Sequence, residues 1–332
     1  MNNLNISVKF DMRAPAFGTP IRDLYAAALD MATFVDQIGV TRINAMEHHG
    51  SEDGYLPTPF VLGGGFAART KQCRITLGAV ILPLHDPVKV AEQIAVLDLM
   101  ANGRLEVIFG VGYVPFEYQL FKVSMRNRGR LLDEGIDIIL RALRGERFEH
   151  DGREIYIRPL PLQKAEDIVI VGGGIDASAK RAARLGLGFA PVNSNLFDLY
   201  DAECRKLGRE PGRKYGSAGF GDIHLSNDPE ATWARLMPHL KHQVGEYAKL
   251  AATSNTNSPF KGLLTDDVAL RSCGILNVWT PAELLQKVAA AKQQGSVTFM
   301  PLIGGLSPEP GWESLQLLKS VMPQLQASMV GT

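Results

Sequence analysis

A short run of β-branched and aliphatic residues followed by a longer stretch with helical spacing recurs eight times along the chain, and few folds accept that pattern. The apolar runs at 6–10, 40–46, 75–82, 105–109, 168–171, 189–192, 219–225 and 297–302 read as strands. Helical spacing follows them at 22–38, 59–70, 87–100, 126–143, 176–185, 196–207, 229–250 and 312–322, and a further helix fits 281–294. Gly39 is placed to end the first helix, because glycine accepts the left-handed backbone of a helix C-terminus. Pro59 stands in the first turn of the second, where its missing N–H costs nothing. Such regular units favour a closed parallel (β/α)₈ barrel of the α/β class over an open doubly wound sheet, with residues 1–332 forming one domain. Two segments depart from the rhythm. Phe148, Ile155 and Ile157 alternate around Asp151-Gly152, a hairpin-turn pair, so 147–158 is expected to form a small hairpin at the barrel rim. Residues 251–274, with Thr253-Ser254-Asn255-Thr256-Asn257-Ser258, lack periodicity and read as a long loop before the eighth strand, either an insertion or a lid.

The bulk numbers bear on function. Thirty-five basic and 35 acidic residues give a formal net charge of zero, which removes any general pull toward nucleic acid or an anionic membrane. A hydrophobic fraction of 45% in 332 residues can bury a core without staples. Cys73, Cys204 and Cys273 stand far apart with no CxxC pair, and are expected to pack as buried thiols in a reducing cytoplasm. The N-terminus lacks the basic and apolar regions of a secretory signal, and no run of about 18 apolar residues could span a membrane.

Three constellations fall at strand C-termini, the end at which barrel enzymes build their sites. Glu47-His48-His49 closes the second strand. Successive strand residues face opposite ways, so one histidine is expected in the pocket while the other packs outward. Such an imidazole can act as acid, base or hydrogen-bond donor, or simply be buried against a backbone partner. Barrel metallohydrolases place ligands as His-x-His on one strand; none of the seven histidines has that spacing, so no metal is expected. His239 and His242, three apart on a helix, are assigned to a solvated face. The second constellation runs from Gly103-Arg104 to Gly110-Val111-Gly112-Tyr113, where glycines either admit a flat ligand or only turn the chain. Glu117 follows on the next turn, placed to reach and orient the second strand's histidine. The third, Val169-Ile170-Val171-Gly172-Gly173-Gly174-Ile175-Asp176, is a strand, a glycine loop and a helix start, suited to a phosphate or to a tight turn alone.

In this order the constellations resemble the luciferase-like flavin monooxygenases. The likeness rests on Met46-Glu47-His48-His49 with Gly54, Phe60 with Arg69-Thr70-Lys71, and Leu77-Gly78-Ala79-Val80-Ile81-Leu82-Pro83-Leu84-His85-Asp86-Pro87-Val88. It continues through Leu97-Asp98-Leu99-Met100-Ala101-Asn102-Gly103-Arg104 and Glu117-Tyr118-Gln119-Leu120-Phe121. It is dense over 40–125 and thins to Pro161-Leu162-Gln163, Gly173-Gly174 and Ala182-Ala183-Arg184-Leu185-Gly186. The resemblance implies His48 as catalytic histidine with Glu117 as its carboxylate partner. It implies a flavin held by Ala79, Val80, Gly110, Val111, Gly112, Gly172, Gly173, Gly174 and Ile175, with Phe10, Ile81 and Trp279 as apolar wall. A non-proline cis peptide within 78–81 and a homodimer packed through the first helices are implied as well. Val111 replaces an arginine and Ile175 a hydroxyl residue of the family's phosphate site, so two side-chain anchors are missing; the Gly-x-Gly form around Val111 also occurs in relatives that use a deazaflavin. The reading is a two-component monooxygenase that takes reduced FMN from a separate flavin reductase and oxygenates a small organic substrate with O₂. The alternatives are a deazaflavin-dependent hydride-transfer enzyme and an idle flavin-binding relative.

Overall fold

Runs of Val, Ile and Leu with little polar alternation suit parallel strands covered on both faces, and the computed structural model, described over residues 4–254, 266–290 and 295–330, places parallel strands at each of them. The strands are β1 (Leu4–Phe10), β2 (Arg42–Ala45), β3 (Arg74–Ile81), β4 (Leu105–Gly110), β5 (Phe148–His150), β6 (Arg153–Ile155), β7 (Val169–Gly173), β8 (Gly188–Pro191), β9 (Ser217–Leu225), β10 (Leu276–Trp279) and β11 (Gly295–Phe299). The chain divides into two compact units.

The first unit takes the described residues of Met1–Asn44, His48–Pro57 and Ser217–Thr332. Its ladder runs β10-β9-β11-β1, every pair parallel, with Val8 opposite Phe299 and Leu276 opposite Asp222. The helix Pro229–Ala252 carries Trp233, Leu236, Leu240 and Val244 into a cluster with Leu276, Val278, Met300 and Ile303.

The second unit takes Ala45–Glu47 and Thr58–Gly216, with β3-β4-β7-β8 in parallel order. Polar clamps hold this unit at the N-terminal ends of its strands. Glu106, fully buried, accepts from Arg74, from Thr76 at 2.9 Å and from Arg213 and Tyr215 at 3.1 Å. Arg104 donates to the carbonyls of Cys73 (2.6 Å) and Thr70 (2.9 Å), so it closes the end of the helix Pro59–Arg69 and does not belong with the glycines that follow β4. Stability features at this end leave the opposite strand ends free for loops and chemistry.

Most of the expected elements are present. The helix Pro87–Met100 starts where its sequence says, because Asp86 caps it by accepting from Val88 and Lys89 N–H groups and Pro87 takes the first position. The hairpin β5–β6 turns at Asp151 and Gly152, both at positive φ (49° and 70°), as that pair requires. The Gly78–Ala79 peptide is cis, as expected. Three readings need correction. The stretch 251–274, taken as one long loop, contains the helix Asp267–Ser272, and the strand β10 just after it was not expected; a four-residue strand gives too few alternations to stand out beside a Ser/Asn/Thr-rich segment. Residues 255–265, the core of the lid reading, lie outside the described residues. The last helix begins at Pro308, not at 312, since prolines are tolerated in a first turn. Cys73 and Cys204 are buried as expected, while Cys273 is exposed.

His224 on β9 is 1% exposed, and burial, aided by the charge of Arg235, pushes its imidazole down to about 4. The folded protein therefore binds that proton less readily than the unfolded chain does. Its contribution is complete above the unfolded value of 6.5 and is lost as pH falls from there toward about 4. A shift of that size corresponds to about 3 kcal/mol. Thermal melts should show stability falling through this window, and His224→Gln should flatten the slope; an unchanged slope in the variant would refute the assignment.

Candidate functional site

In the first unit β1 ends in Phe10-Asp11-Met12-Arg13. Met12 adopts φ 59°, and the turn lets the Asp11 carboxylate accept the Arg13 backbone N–H at 3.1 Å. Arg13 is wholly buried, and its Nη1 donates to Asp53 Oδ2 at 2.5 Å. The same oxygen lies 2.8 Å from His242 Nε2, while Asp53 Oδ1 accepts from Tyr55 N–H (3.2 Å) and from the Ser51 hydroxyl. Burial alone would raise the Asp53 carboxyl; the charge of Arg13 and these hydrogen bonds outweigh it and bring the group down to about 2.

Ring faces cover the rest of the guanidinium. Its carbon lies 4.1 Å from the Tyr55 ring centroid and 5.0 Å from that of Tyr247, and the two phenol oxygens are 2.7 Å apart. Cation–π contacts of this kind hold a cation where water cannot. His48 packs on the same rings, 4.8 Å from Tyr55 and 6.0 Å from Tyr247 between centroids. Its backbone N–H donates to Leu56 O, and Leu56 N–H to Asp11 O, both at 3.1 Å, so the segment after β2 is strapped to the end of β1. His48 and His49 are both buried; burial does not separate them into one pocket and one outward residue. His239 and His242 do not lie on a solvated face: His239 Nδ1 is 2.8 Å from Gly304 O, and His242 is held by Asp53. Both were misread because a three-residue spacing of polar residues looks the same on an outer face and on a face roofed by a loop.

In the second unit the buried Glu47 accepts from the Ile81 amide and lies 2.7 Å from His85 Nε2. β3 carries the cis peptide beside a register shift between Gly78 and Val80. A Cβ built on Gly110 would stand 3.2 Å from that of Ala79. Gly112 has φ +67°, and a Cβ there would come within 2.7 Å of Ile81. Tyr118 donates to Val111 O, and Arg128 Nη1 lies 3.4 Å from Gly112 O. Because Phe109 pairs with Val171, the segments 110–112 and 172–175 leave adjacent strands side by side. Gly173 has φ +154° and sits against Ser178, while Gly172 packs on Ile108. Ile175, exposed, is the N-cap of the helix Asp176–Leu185 and contributes no side-chain bond; Asp176 is the first helical residue.

Ala79, Val80, Gly110, Val111, Gly112, Gly172, Gly173, Gly174 and Ile175 thus all belong to the second unit, as does the buried Glu117, whereas His48 belongs to the first. Amides without a capping side chain at 174–176, and a guanidinium at Gly112, are a donor set that fits a phosphate. Arg128 lies beyond the motifs that carry the family resemblance, and Asp11, Arg13 and Asp53 look like surface charges from sequence because they stand next to strand ends. The run Asp11-Met12-Arg13 directly after an apolar strand was the available signal.

The family model described as luciferase-like monooxygenase matches residues 8–296. The oxygenase component of the flavin-dependent trigonelline monooxygenase of Acinetobacter baylyi is 28% identical over 193 residues, 56% of this chain and 52% of that protein. The 4-hydroxyprotoasukamycin monooxygenase of Streptomyces nodosus subsp. asukaensis is 27% identical over 250 residues, 69% of this chain and 67% of that protein. The chain spans about half the length of the first curated relatives it matches, 47% and 52%. Among solved structures, the monooxygenase RslO1 of Streptomyces bottropensis aligns with a TM-score of 0.76 at 23% identity, covering 97% of this chain and 99% of that one. The oxygenating constituent of 3,6-diketocamphane monooxygenase from Pseudomonas putida, in complex with FMN, gives 0.72 at 17% identity over 98% and 99%. An F420-dependent secondary alcohol dehydrogenase gives 0.70 at 14% identity over 97% and 98%. The fold class is the expected α/β class of the luciferase-like (β/α)₈ chains.

Removing the Asp53 carboxylate strands a buried cation. Asp53→Ala should lose about 3–5 kcal/mol in denaturant unfolding, and Asp53→Asn less, because it keeps an acceptor for Arg13. A loss within experimental error for both variants would show that the ring faces alone support the charge.

Proposed function

The chain belongs to the luciferase-like monooxygenase family, and from that premise we propose that it is the oxygenase component of a two-component system, using reduced FMN from a separate reductase and O₂ to oxygenate a small organic substrate. The observation that carries this reading is the β4–β7 pairing, which sets 110–112 beside 172–175 with the Arg128 guanidinium at Gly112. Reduced flavin, when bound, supplies the electrons that activate O₂. The residues of this chain do the rest. Arg128 and the amides at 174–176 would hold the phosphate; Ala79 and Val80 would form a flat wall, and Ile81 would keep water from the reacting atoms. His48, set by its packing on Tyr55, moves a proton at its ring nitrogen.

A deazaflavin reading has its own support: Val111 and Ile175 stand where FMN-binding relatives are expected to place phosphate anchors, and a deazaflavin enzyme shares the fold at a similar TM-score. Binding of reduced FMN and of reduced deazaflavin under anaerobic conditions, followed by admission of O₂, separates the readings. Deazaflavin binding with no response to O₂ would replace the monooxygenase reading. A homodimer fits the apolar side chains that the helices Pro59–Arg69 and Pro87–Met100 leave in water, Val61, Val96 and Met100. No helix among the described residues is long and apolar enough to cross a membrane, which agrees with a cytoplasmic setting.

His48→Ala should lower oxygenation by on the order of 10²–10⁴-fold with little change in melting temperature; full activity would remove His48 from the mechanism. Val111→Arg should tighten FMN by roughly ten- to a hundredfold, the yield of one added charge-assisted bond. Fluorescence quenching checks this, and a folded variant with unaltered affinity would place the phosphate elsewhere.

A further inference from the structure

The buried polar cluster at the end of β1 contains more acid than its cations neutralise. Lys9 pairs with Asp222 at 2.8 Å and Arg13 with Asp53 at 2.5 Å. Asp11, with no exposure to solvent, is left without a cation of its own. Its firm contact is the Arg13 backbone N–H; the remaining donors stand off, Gly304 N–H at 3.4 Å, Gln243 Nε2 at 3.5 Å and Arg13 Nε at 3.9 Å. An acid buried on such terms is stabilised by taking a proton. Burial accordingly pushes the Asp11 carboxyl up to about 6, against the pull of Arg13, the Arg13 and Gly304 amides, and Lys9.

Beside the same carboxyl are three buried polar atoms with no hydrogen-bond partner, Nε and Nη2 of Arg13 and Oε1 of Gln243. Two donors and an acceptor next to an acid are the setting of an internal water able to pass a proton. The other groups that face this cluster are Lys9 from β1, Tyr55 from the segment after β2, and Tyr247 from the helix Pro229–Ala252, with Asp53 and His242 beyond Arg13. Asp11 acts electrostatically on Tyr55, which bonds to Tyr247 and packs on His48.

We propose that Asp11 is a proton store for this site, a positioning residue that acts on His48 through the Tyr55–Tyr247 pair. The carboxyl gives one proton to a water lodged at the unpaired Arg13 and Gln243 atoms and becomes a carboxylate, toward which the Arg13, Gln243 and Gly304 N–H groups already point; a proton from solvent, passed back through that water, restores the acid. Its use in turnover rests on the monooxygenase reading, because oxygenation consumes protons where water must be kept out.

The test reads the protein without flavin. Infrared spectra of the wild type between about pH 4 and pH 8 should contain the carbonyl stretch of a buried carboxylic acid that disappears as pH rises through about 6, and Asp11→Asn should lack it. Labelled-histidine NMR should show the His48 ring signal carrying an inflection that coincides with loss of the band, counted apart from any that the ring's own protonation produces. The coincident inflection should vanish in Asp11→Asn; Tyr247→Phe should keep the band and lose that inflection. An acid band that survives in Asp11→Asn, or a band-coincident His48 inflection that does, overturns the proposal. Should Asp11→Asn not fold, Asp11→Glu must move band and inflection together, and failure to do so overturns it equally. A protein that folds and titrates as described but ignores reduced FMN would sink the functional reading and leave this one standing.

Discussion

Arg13 has no contact with solvent, and a guanidinium in that position dictates what surrounds it. Its charge requires a carboxylate, which Asp53 supplies; its flat faces require something other than aliphatic side chains, which Tyr55 and Tyr247 supply. Each of those groups then has demands of its own. Asp53 draws in Ser51, His242 and the Tyr55 amide, while the buried Tyr55 phenol finds its partner in the half-buried Tyr247. Four separate stretches of sequence are fixed by one cation: the end of β1, the segment after β2, the helix Pro229–Ala252 and, through Asp11, the turn at Gly304. His48 inherits its ring position from this arrangement.

The second unit is built differently, with a loop surface bare of large side chains at the C-terminal ends of its strands. Its polar clamps, Glu106, Asp98 and Arg104, gather near the N-terminal ends of β3 and β4 or on the helices behind them. At the C-terminal ends the side chains are small, and packing explains why: a Cβ at Gly112 or Gly172 would strike Ile81 or Ile108. The glycines therefore bring the strands and loops close, and the exposed amides follow from that closeness. Glycine placement alone is evidence for tight packing, and the guanidinium of Arg128 is the feature that points to phosphate.

What the sequence disclosed and what it hid follow from the range of the forces involved. Local signals were legible: Asp86 and Pro87 start a helix, Asp151-Gly152 turns a hairpin, and apolar runs mark strands. The glycine segments after β4 and β7 were legible too, because their meaning depends on their own backbone. β10 was hidden by its length. The Arg13 cluster was hidden because its partners are 40 and 189 residues apart along the chain, as Arg13–Asp53 and Asp53–His242. A run such as Asp11-Met12-Arg13 after an apolar strand marks a strand end worth attention, but it does not separate a buried charge from a solvated one until the helix that covers it is placed.

The two units also bear unequally on which cofactor the protein takes. Phosphate anchoring is weak in side chains, with Val111 contributing only its carbonyl to Tyr118 and Ile175 exposed and apolar. Held chiefly by one half-buried arginine and backbone amides, a flavin would exchange readily. Ready exchange is a defect in an enzyme that reduces its flavin in place and an advantage in one that receives it already reduced. On the reading proposed above, weak side-chain anchoring of the phosphate suits a cofactor that arrives reduced, reacts and leaves.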